Sequence, residues 1–315
     1  MYSVTRKPIL ARLSALVLGI FIYTNTLSQK QLQKNGFNLS DLTISFSEIK
    51  QGGPPKDGIP AINHPRFESA SNATFIKPND LIIGVEINGI AKAYPIKILN
   101  WHEIVNDEIS TRPVVITYCA LCRSGLVFNA CVKGRAYTFG VSGLLYNSDV
   151  LLYDRETQSL WSQLIGASVA GTNSGKALEV ITSQMVTWAE WKEQYPKTLV
   201  LSTETGYVRN YDHSPYSAYG LTDQLMFPVE HENHVLLNKQ LVVGIELDGE
   251  YIAFPFSRLR KKNADKVYKG LTVQFDKKRQ TVVVFNQVGD VYPSVTLYWF
   301  AWYAIHPDTK IFPAK

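Results

Sequence analysis

Two stretches of the chain share one pattern of apolar and polar positions, and each has a turn signal at its centre. Residues 81–95 read LIIGVEINGIAKAYP, and residues 241–255 read LVVGIELDGEYIAFP at a constant offset of 160. Asn-Gly in the first stretch and Asp-Gly in the second lie between two β-rich runs. Because a type I′ turn needs positive φ at both central residues, the pattern predicts two β-hairpins.

A second pair of matching segments follows at an offset of 111. Trp188 and Trp191 correspond to Trp299 and Trp302, and a proline closes both segments. Tryptophans three residues apart predict a short helix whose apolar face packs on a sheet. Short strands at spacings of about 8–12 residues fill most of the remaining chain. We therefore predict an α+β, β-dominated fold of two pseudo-equivalent β-rich halves that arose by internal duplication.

The amino terminus has the pattern of a targeting segment. Arg6 and Lys7 precede an uncharged apolar stretch at residues 13–23. Its length suits a signal peptide better than a membrane span, which needs about 20 residues. We expect residues 1–25 to be a signal peptide or an N-terminal membrane anchor. The mature protein would then be periplasmic or otherwise extracytoplasmic.

The rest of the chain divides into a polar segment and one domain. Residues 26–79 are rich in Gly and Pro and predict a linker or approach segment that wraps onto the domain. Residues 80–312 predict a single duplicated domain. Copy one spans about 80–205 and copy two about 240–312, as the two pairs of matching segments indicate.

Charge and composition narrow the function. The 315 residues are 45% hydrophobic, which is enough apolar mass for a folded core and excludes a mainly disordered chain. The net charge of +5 comes entirely from residues 1–40, which hold five bases and no acid. The body is therefore neutral, and we expect no nucleic-acid partner. No Gly-rich phosphate loop is present, so we expect no nucleotide cofactor.

The residues that copy one has and copy two lacks indicate where chemistry could lie. Cys119 and Cys122 form a C-x-x-C between two β-runs, and His102 follows the first predicted hairpin. A strand–turn–strand C-x-x-C is typical of thiolate metal knuckles, whereas thioredoxin-like motifs open a helix. We predict that these three residues converge, with His306 as a possible fourth ligand. Thiolates and imidazoles favour Cu or Zn.

Two alternatives stay open for these cysteines. In an oxidising compartment Cys119 and Cys122 could form a disulfide or a thiol-redox pair.

Copy one also has a dense polar run that could hold a ligand, and this second candidate site comprises Glu103, Asn147, Ser148, Asp149, Asp154 and Arg155.

Several of these motifs resemble one known family, the uncharacterised proteins of domain-of-unknown-function family 3179. The resemblance rests on Tyr94-Pro95 and on residues 99–107 (LNWHEIVND), 115–122 (VITYCALC), 139–149 (FGVSGLLYNSD), 153–157 (YDRET) and 160–163 (LWSQ). At Ala120 and Arg123 the family commonly has Pro and Gly. The resemblance implies an exported or membrane-tethered protein and supplies no reaction.

Two functions therefore compete. The first is an exported metal-binding or thiol-redox protein with its site in the first repeat. The second is a non-catalytic envelope module that binds a small ligand or an envelope partner. In that case the bond between Cys119 and Cys122 is a structural disulfide.

Overall fold

A computed structural model describes residues 1–2, 32–260 and 266–312. The predicted signal peptide or anchor therefore lies almost entirely outside the described residues. Within the described ranges, no helix is both long enough and apolar enough to cross a membrane.

The elements of the amino-terminal part follow one another as short strands and one helix. In chain order they are β1 (Gln33–Lys34), β2 (Phe37–Asn38), β3 (Ile49–Gln51), β4 (Phe67–Ser69), β5 (Leu81–Ile87), β6 (Ile90–Pro95), α1 (Ile96–His102), β7 (Ile104–Ile109), β8 (Arg112–Cys119), β9 (Ser124–Asn129), β10 (Cys131–Val132) and β11 (Arg135–Ala136). A 3₁₀ turn at Phe46–Glu48 precedes β3.

The carboxy-terminal part continues in the same style and adds three helices. Its elements are β12 (Phe139–Tyr146), β13 (Asp149–Asp154), β14 (Leu160–Ser162), β15 (Ala167–Ala170), β16 (Val180–Ile181), β17 (Gln184–Thr187), α2 (Trp188–Gln194), β18 (Leu199–Leu201), β19 (Leu241–Leu247), β20 (Glu250–Pro255), α3 (Phe256–Leu259), β21 (Lys266–Tyr268), β22 (Leu271–Asp276), β23 (Thr281–Phe285), β24 (Val295–Tyr298), α4 (Trp299–Ile305) and β25 (Lys310–Ile311). A second 3₁₀ turn spans Tyr219–Leu221.

Strands dominate the structure, at 41% of the described residues against 11% in helices, which confirms the β-dominated prediction. Five sheets form a propeller-like ring. Their strand orders are β17-β5-β6-β18-β4, β16-β9-β8-β7, β15-β14-β13-β12-β3, β24-β19-β20-β25 and β21-β22-β23. Three of these sheets are built mainly from the first predicted copy and two from the second. The α+β class and the two-half duplication stay predictions.

Two sheets of the ring share one hydrogen-bonding register. Gly84 lies opposite Ala93 where β5 pairs with β6, and Gly244 lies opposite Ala253 where β19 pairs with β20. Both hairpins turn at the predicted sites, since Asn88 and Asp248 and the glycines after them have positive φ. The sequence prediction of two hairpins is thus matched by their observed pairing.

Each of these two sheets carries a tryptophan over a glycine. A Cβ built on Gly84 would come within 2.4 Å of the Trp191 ring, and a Cβ on Gly244 within 2.3 Å of the Trp302 ring. The indole nitrogen of Trp191 donates to Thr198 Oγ1 at 2.9 Å, and that of Trp302 donates to Thr309 Oγ1 at 2.7 Å. The absent Cβ is what lets each helix lie this close to its sheet.

The predicted approach segment is partly built into the ring. β3 pairs antiparallel with β12, and β4 pairs antiparallel with β18. Pro60 contacts α1, because its carbonyl lies 2.8 Å from His102 Nδ1, and the Ile62 amide then donates to the Ile104 carbonyl of β7 at 2.9 Å. The approach segment therefore contributes to the surroundings of the first-copy candidate residues.

The main apolar core surrounds the C-x-x-C segment. It includes the buried rings of Phe128, Phe139, Trp161 and Trp299 together with both cysteines. Burying each such ring contributes roughly 2–3 kcal/mol to folding. The cysteines are thus held in packed core rather than in a surface loop.

Candidate functional site

The β8–β9 hairpin places both cysteine side chains at one point. β8 ends at Cys119, which lies opposite Ser124 at the start of β9. Arg123 has a φ of +54°, which lets the chain turn back. The Cys122 amide donates to Cys119 Sγ at 3.4 Å. A knuckle of this kind turns two sulfurs toward one another, as a thiolate metal site requires.

The tight turn between β12 and β13 abuts this knuckle. Asn147 and Ser148 have φ values of +51° and +62°, as a type I′ turn needs. Unlike most hairpin turns, this one is buried, with 4% and 1% of the two residues exposed. The Ser148 carbonyl accepts from Cys122 Sγ at 3.3 Å and lies 3.9 Å from Cys119 Sγ. The turn therefore brings the first residue of β13, Asp149, to the sulfurs.

Cys119, Cys122 and Asp149 form a compact donor set, which we call the thiol–carboxyl cluster. One ligand atom of each residue lies within 4.8 Å of the other two. Both cysteines are free, and all three residues are at most 2% exposed. Among the described residues, no other group of three His, Cys, Asp or Glu side chains is this close.

Asp149 is only half satisfied by the protein. Its Oδ2 accepts from the Leu164 amide at 3.0 Å, whereas its Oδ1 is buried without a hydrogen-bond partner. A buried, unpaired carboxyl oxygen is costly, so an atom of this kind calls for a functional explanation. The Nδ2 group of Asn147, two residues earlier, is also buried and unpartnered.

Burial disfavours negative charge throughout the cluster. It raises the pKa of the Asp149 carboxyl to about 7, although the Leu164 and Val150 amides and the Cys119 and Cys122 thiols oppose the shift. It also raises the pKa of the Cys119 thiol and places the pKa of Cys122 well above its ordinary value. The protein alone thus keeps the thiols protonated near pH 7. A bound cation would reverse that preference.

Glu103 brings a second carboxyl beside the cluster. It caps the carboxyl end of α1 with a φ of +56°, a conformation that is uncommon for glutamate, and it is 8% exposed. Tyr216 donates a hydrogen bond to Glu103 Oε1 at 3.3 Å. Burial raises the pKa of Glu103 to about 7; the Tyr216 bond lowers it and the Asp149 charge raises it.

Glu103 and Tyr216 line a small cavity, which we call the inner cavity. Its volume is about 60 Å³. The other walls are largely apolar and include Leu121, between the two cysteines, and Val150, after Asp149. The inner cavity therefore adjoins the cluster on the side of the knuckle and of β13.

His102 is buried but belongs to a different set of contacts. Its Nδ1 lies 2.8 Å from the Pro60 carbonyl, and its Nε2 lies 2.7 Å from the Tyr211 hydroxyl. Because a carbonyl only accepts, Nδ1 carries the proton and Nε2 accepts from Tyr211. Burial lowers the pKa of His102, which favours this neutral form. Both ring nitrogens are engaged, and His102 is not part of the thiol–carboxyl cluster.

His306, the possible fourth ligand, packs in the aromatic layer of copy two. Its ring stacks on Tyr251 at a centroid distance of 3.7 Å and lies 4.3 Å from the Trp302 ring. Tyr195 has the same relation to Trp191, also at 4.3 Å. His306 thus occupies a packing position and lies outside the cluster.

The second candidate polar site divides between the two ends of β13. Glu103, Asn147, Ser148 and Asp149 lie at the cluster end. Asp154, at the other end, is fully buried and accepts hydrogen bonds from Thr157, from Trp161 Nε1 at 2.8 Å and from Asn173 at 3.1 Å. The sequence run is therefore two separate environments.

Arg155 follows Asp154 and points to the approach segment. It donates to the Tyr153 hydroxyl at 2.9 Å and lies 3.4 Å from Asp57. These contacts explain Arg155 and Asp154 as supports of the fold rather than as neighbours of the cysteines.

Residues 203–239, which we call the strap, cover the site and were not predicted to do so. Tyr211 and Tyr216 contact His102 and Glu103. The Ser148 hydroxyl donates to the Phe227 carbonyl at 2.7 Å, and the Glu230 amide donates to Asn147 at 2.7 Å. The available sequence signal was a run of four tyrosines between residues 207 and 219.

Comparison with known proteins gives one match. A protein-family model described as "Protein of unknown function (DUF3179)" matches residues 56–291, which include the knuckle, the β12–β13 turn and the strap. No curated protein and no solved structure matches the chain.

Proposed function

We propose that this chain, which belongs to the DUF3179 family of proteins of unknown function, binds a zinc ion through Cys119, Cys122 and Asp149. The main support is that one ligand atom of each residue lies within 4.8 Å of the other two, inside the packed core. In a tetrahedral zinc site, ligand atoms about 2.3 Å from the ion lie about 3.8 Å apart. Small side-chain adjustments therefore suffice to bind an ion.

The unpaired Asp149 Oδ1 supports the same proposal. An ion at the cluster would bind this buried oxygen, which has no well-formed hydrogen bond and is faced only by thiols that are close enough to lower the Asp149 pKa. The cation would also stabilise the thiolates, whose formation burial alone disfavours. The hydrogen bond from the Cys122 amide to Cys119 Sγ would orient and stabilise that sulfur as a ligand.

The donor set favours zinc over copper. Zinc accepts thiolate and carboxylate oxygen together, whereas copper(I) prefers an all-soft set. Three protein ligands leave a fourth position for water or substrate, which is the arrangement of catalytic rather than structural zinc sites. Glu103 lines the inner cavity next to the cluster and is close enough to interact electrostatically with Asp149, so it is our candidate for proton exchange with a bound molecule.

Burial argues against a thiol-redox role. Reactive cysteines are partly exposed and have a lowered pKa, because the thiolate is the nucleophile. Cys119 and Cys122 are 2% and 0% exposed, and burial raises the pKa of both. The metal proposal uses the same two sulfurs without requiring solvent access.

Metal analysis of the reduced protein tests the proposal. Protein purified with a thiol reductant and dialysed against zinc should hold one zinc per chain, and cobalt substitution should give thiolate-to-metal charge-transfer absorption. Cys119→Ser and Asp149→Asn should each lower zinc content by more than tenfold. Cys131→Ser is the matched control, because Cys131 lies outside the cluster.

The same experiment decides against the alternative. A wild-type protein that never binds zinc or copper, and whose Cys119 and Cys122 are oxidised on isolation, would contradict the proposal. The non-catalytic binding module with a structural disulfide would then be the better account.

We also infer that the sheet of β5 and β6 and the sheet of β19 and β20 arose by duplication. The duplicated unit would have comprised this sheet and the one that follows it in the chain. The shared offsets of the hairpin and tryptophan segments support this, as do the two glycine–tryptophan contacts. In the first unit, the β8–β9 hairpin with its two cysteines follows the sheet of β5 and β6. In the second unit, the β22–β23 hairpin follows the sheet of β19 and β20 in the same way, and it contains no cysteine. The proposed zinc site is then a feature of one copy only.

We further infer that the protein acts outside the cytoplasm. The support is the basic pair and apolar stretch within residues 1–25. A reporter fused after Lys315 that is active only outside the cytoplasm, such as alkaline phosphatase, should be active in whole cells. Activity of a cytoplasm-only reporter at the same position would contradict export.

A further inference from the structure

A cleft is lined by the approach segment, by α1 and by the strap. Its volume is about 530 Å³, within the range of small-molecule sites. We call it the outer cleft, and its walls include Pro54, Ile59, Trp101, Arg209, Pro215 and Tyr216. Three segments distant in sequence thus build it: the approach segment, α1 and the strap.

The outer cleft has one charged side chain in its lining, Arg209. The Arg209 guanidinium donates to the Val208 carbonyl at 3.0 Å and lies 5.8 Å from the Trp101 ring centroid. Among the described residues, no carboxylate forms an ion pair with it. An arginine held against an aromatic face, with its remaining donors open, is suited to a carboxylate ligand.

Trp101 offers the apolar counterpart to that charge. Its indole nitrogen donates to the His213 carbonyl at 2.9 Å, so the ring is fixed between α1 and the strap. The neighbouring prolines and Ile59 add apolar surface. A flat apolar body could pack on these groups while its anionic end meets Arg209.

The outer cleft also borders the inner cavity. Pro54, Ile59 and Tyr216 line both spaces. The Tyr216 hydroxyl faces Glu103 on the inner side, at 3.3 Å from Oε1. One layer of side chains therefore separates a ligand in the outer cleft from the carboxyl next to the thiol–carboxyl cluster.

We propose that the outer cleft binds a small planar organic monocarboxylate, which Arg209 recognises by its charge and Trp101 by its flat face. This inference rests on the proposed function for its biological sense, since it identifies the substrate class of the zinc site. Tyr216 is then the partition that a substrate must displace to reach the metal.

Benzoate and its neutral analogue benzamide are suitable probes. Titration of zinc-loaded protein, followed by calorimetry and by Trp fluorescence, should show saturable benzoate binding at least tenfold tighter than that of benzamide. Arg209→Gln should weaken benzoate binding at least tenfold and leave benzamide binding within about twofold. Arg112→Gln is the matched control, because Arg112 pairs with Glu179 away from the cleft.

Three results would overturn the inference: no saturable benzoate binding to the wild type, equal affinity for benzamide, or unchanged affinity in Arg209→Gln. The Cys119→Ser variant separates this inference from the zinc proposal. It should lose zinc and still bind benzoate, because the cluster does not line the outer cleft. Benzoate binding by a protein that takes up no metal would sink the zinc proposal and leave the cleft standing.

Discussion

His102 and Tyr211 are 109 residues apart in the chain and share a 2.7 Å hydrogen bond. Tyr211 also shares a 2.6 Å bond with Thr205, and the other His102 nitrogen holds the Pro60 carbonyl. One imidazole therefore joins α1, the approach segment and the strap. His102 is a buried cross-link between these segments, and its hydrogen bonds hold the strap over the site.

His102→Phe should loosen the strap without removing the metal. The change leaves the Tyr211 hydroxyl and the Pro60 carbonyl short of a partner, at a cost of about 1–3 kcal/mol. Limited proteolysis should cut residues 203–216 several times faster than in the wild type, and zinc content should stay at one per chain. Tyr211→Phe should reproduce the effect. Loss of zinc with a protected strap would instead make His102 a ligand.

Gly84→Ala and Gly244→Ala should both destabilise the protein strongly. The new methyl group would come within 2.4 Å of an indole ring, so the helix must move off its sheet. Overpacking of this kind costs about 1–3 kcal/mol or more. Urea midpoints would measure it, with Gly220→Ala as the control because its nearest atom is 3.6 Å away. Equal midpoints for all three variants would contradict the packing argument.

Asp154→Ala should lower stability and leave zinc content unchanged. Asp154 is fully buried and accepts hydrogen bonds from three side chains, which would lose their partner together. We expect a loss of about 3 kcal/mol in the free energy of unfolding. Glu204→Ala, which breaks an exposed ion pair with Arg66, should cost less than about 1 kcal/mol. Reduced zinc binding in well-folded Asp154→Ala would place Asp154 in the site.

His306 should make folding stability depend on pH. Burial lowers its pKa to about 4 from an ordinary value of 6.5, so between these values the unfolded chain binds more protons than the folded one. The stability that the neutral His306 ring contributes is therefore fully present above pH 6.5. It is lost as pH falls toward 4, which lowers the free energy of unfolding by at most about 3 kcal/mol. The titratable groups around the His306 ring are Tyr251, which stacks on it, and Glu246, which lines the same pocket.

Thermal unfolding of His306→Tyr between pH 7 and pH 4 checks this expectation. In copy one, Tyr195 packs against Trp191 at the position that corresponds to His306, so a tyrosine at 306 should pack in the same place. The variant should lose less stability than the wild type over this range. Parallel curves for the two proteins would show that His306 contributes no pH dependence.

Local signals predicted local structure. The Asn-Gly and Asp-Gly pairs specify their own turns, and a C-x-x-C between β-runs carries its geometry within six residues, from Cys119 to Ser124. The partner of the cysteines was harder to identify. Asp149 belongs to another hairpin, and only the burial of the β12–β13 turn against the knuckle brings it to the sulfurs.

The surroundings of His102 were out of reach for the same reason. Its partners come from the approach segment and the strap, which have no periodic pattern to indicate where they pack. The sequence showed that His102 occurs in copy one only, and it could not distinguish a ligand from a cross-link. Contacts between irregular segments depend on the whole ring rather than on any local preference.

The strap also affects how quickly metal would exchange. Most of its residues are exposed, and it is held over the site by a few tyrosine and main-chain hydrogen bonds, so it should open more readily than the sheets beneath it. With zinc bound as proposed, release would wait for that opening. The rate at which a chelator removes the ion would then reach a plateau as chelator concentration rises. The half-life of the zinc-loaded protein would measure the opening rate of the strap rather than the strength of the zinc bonds.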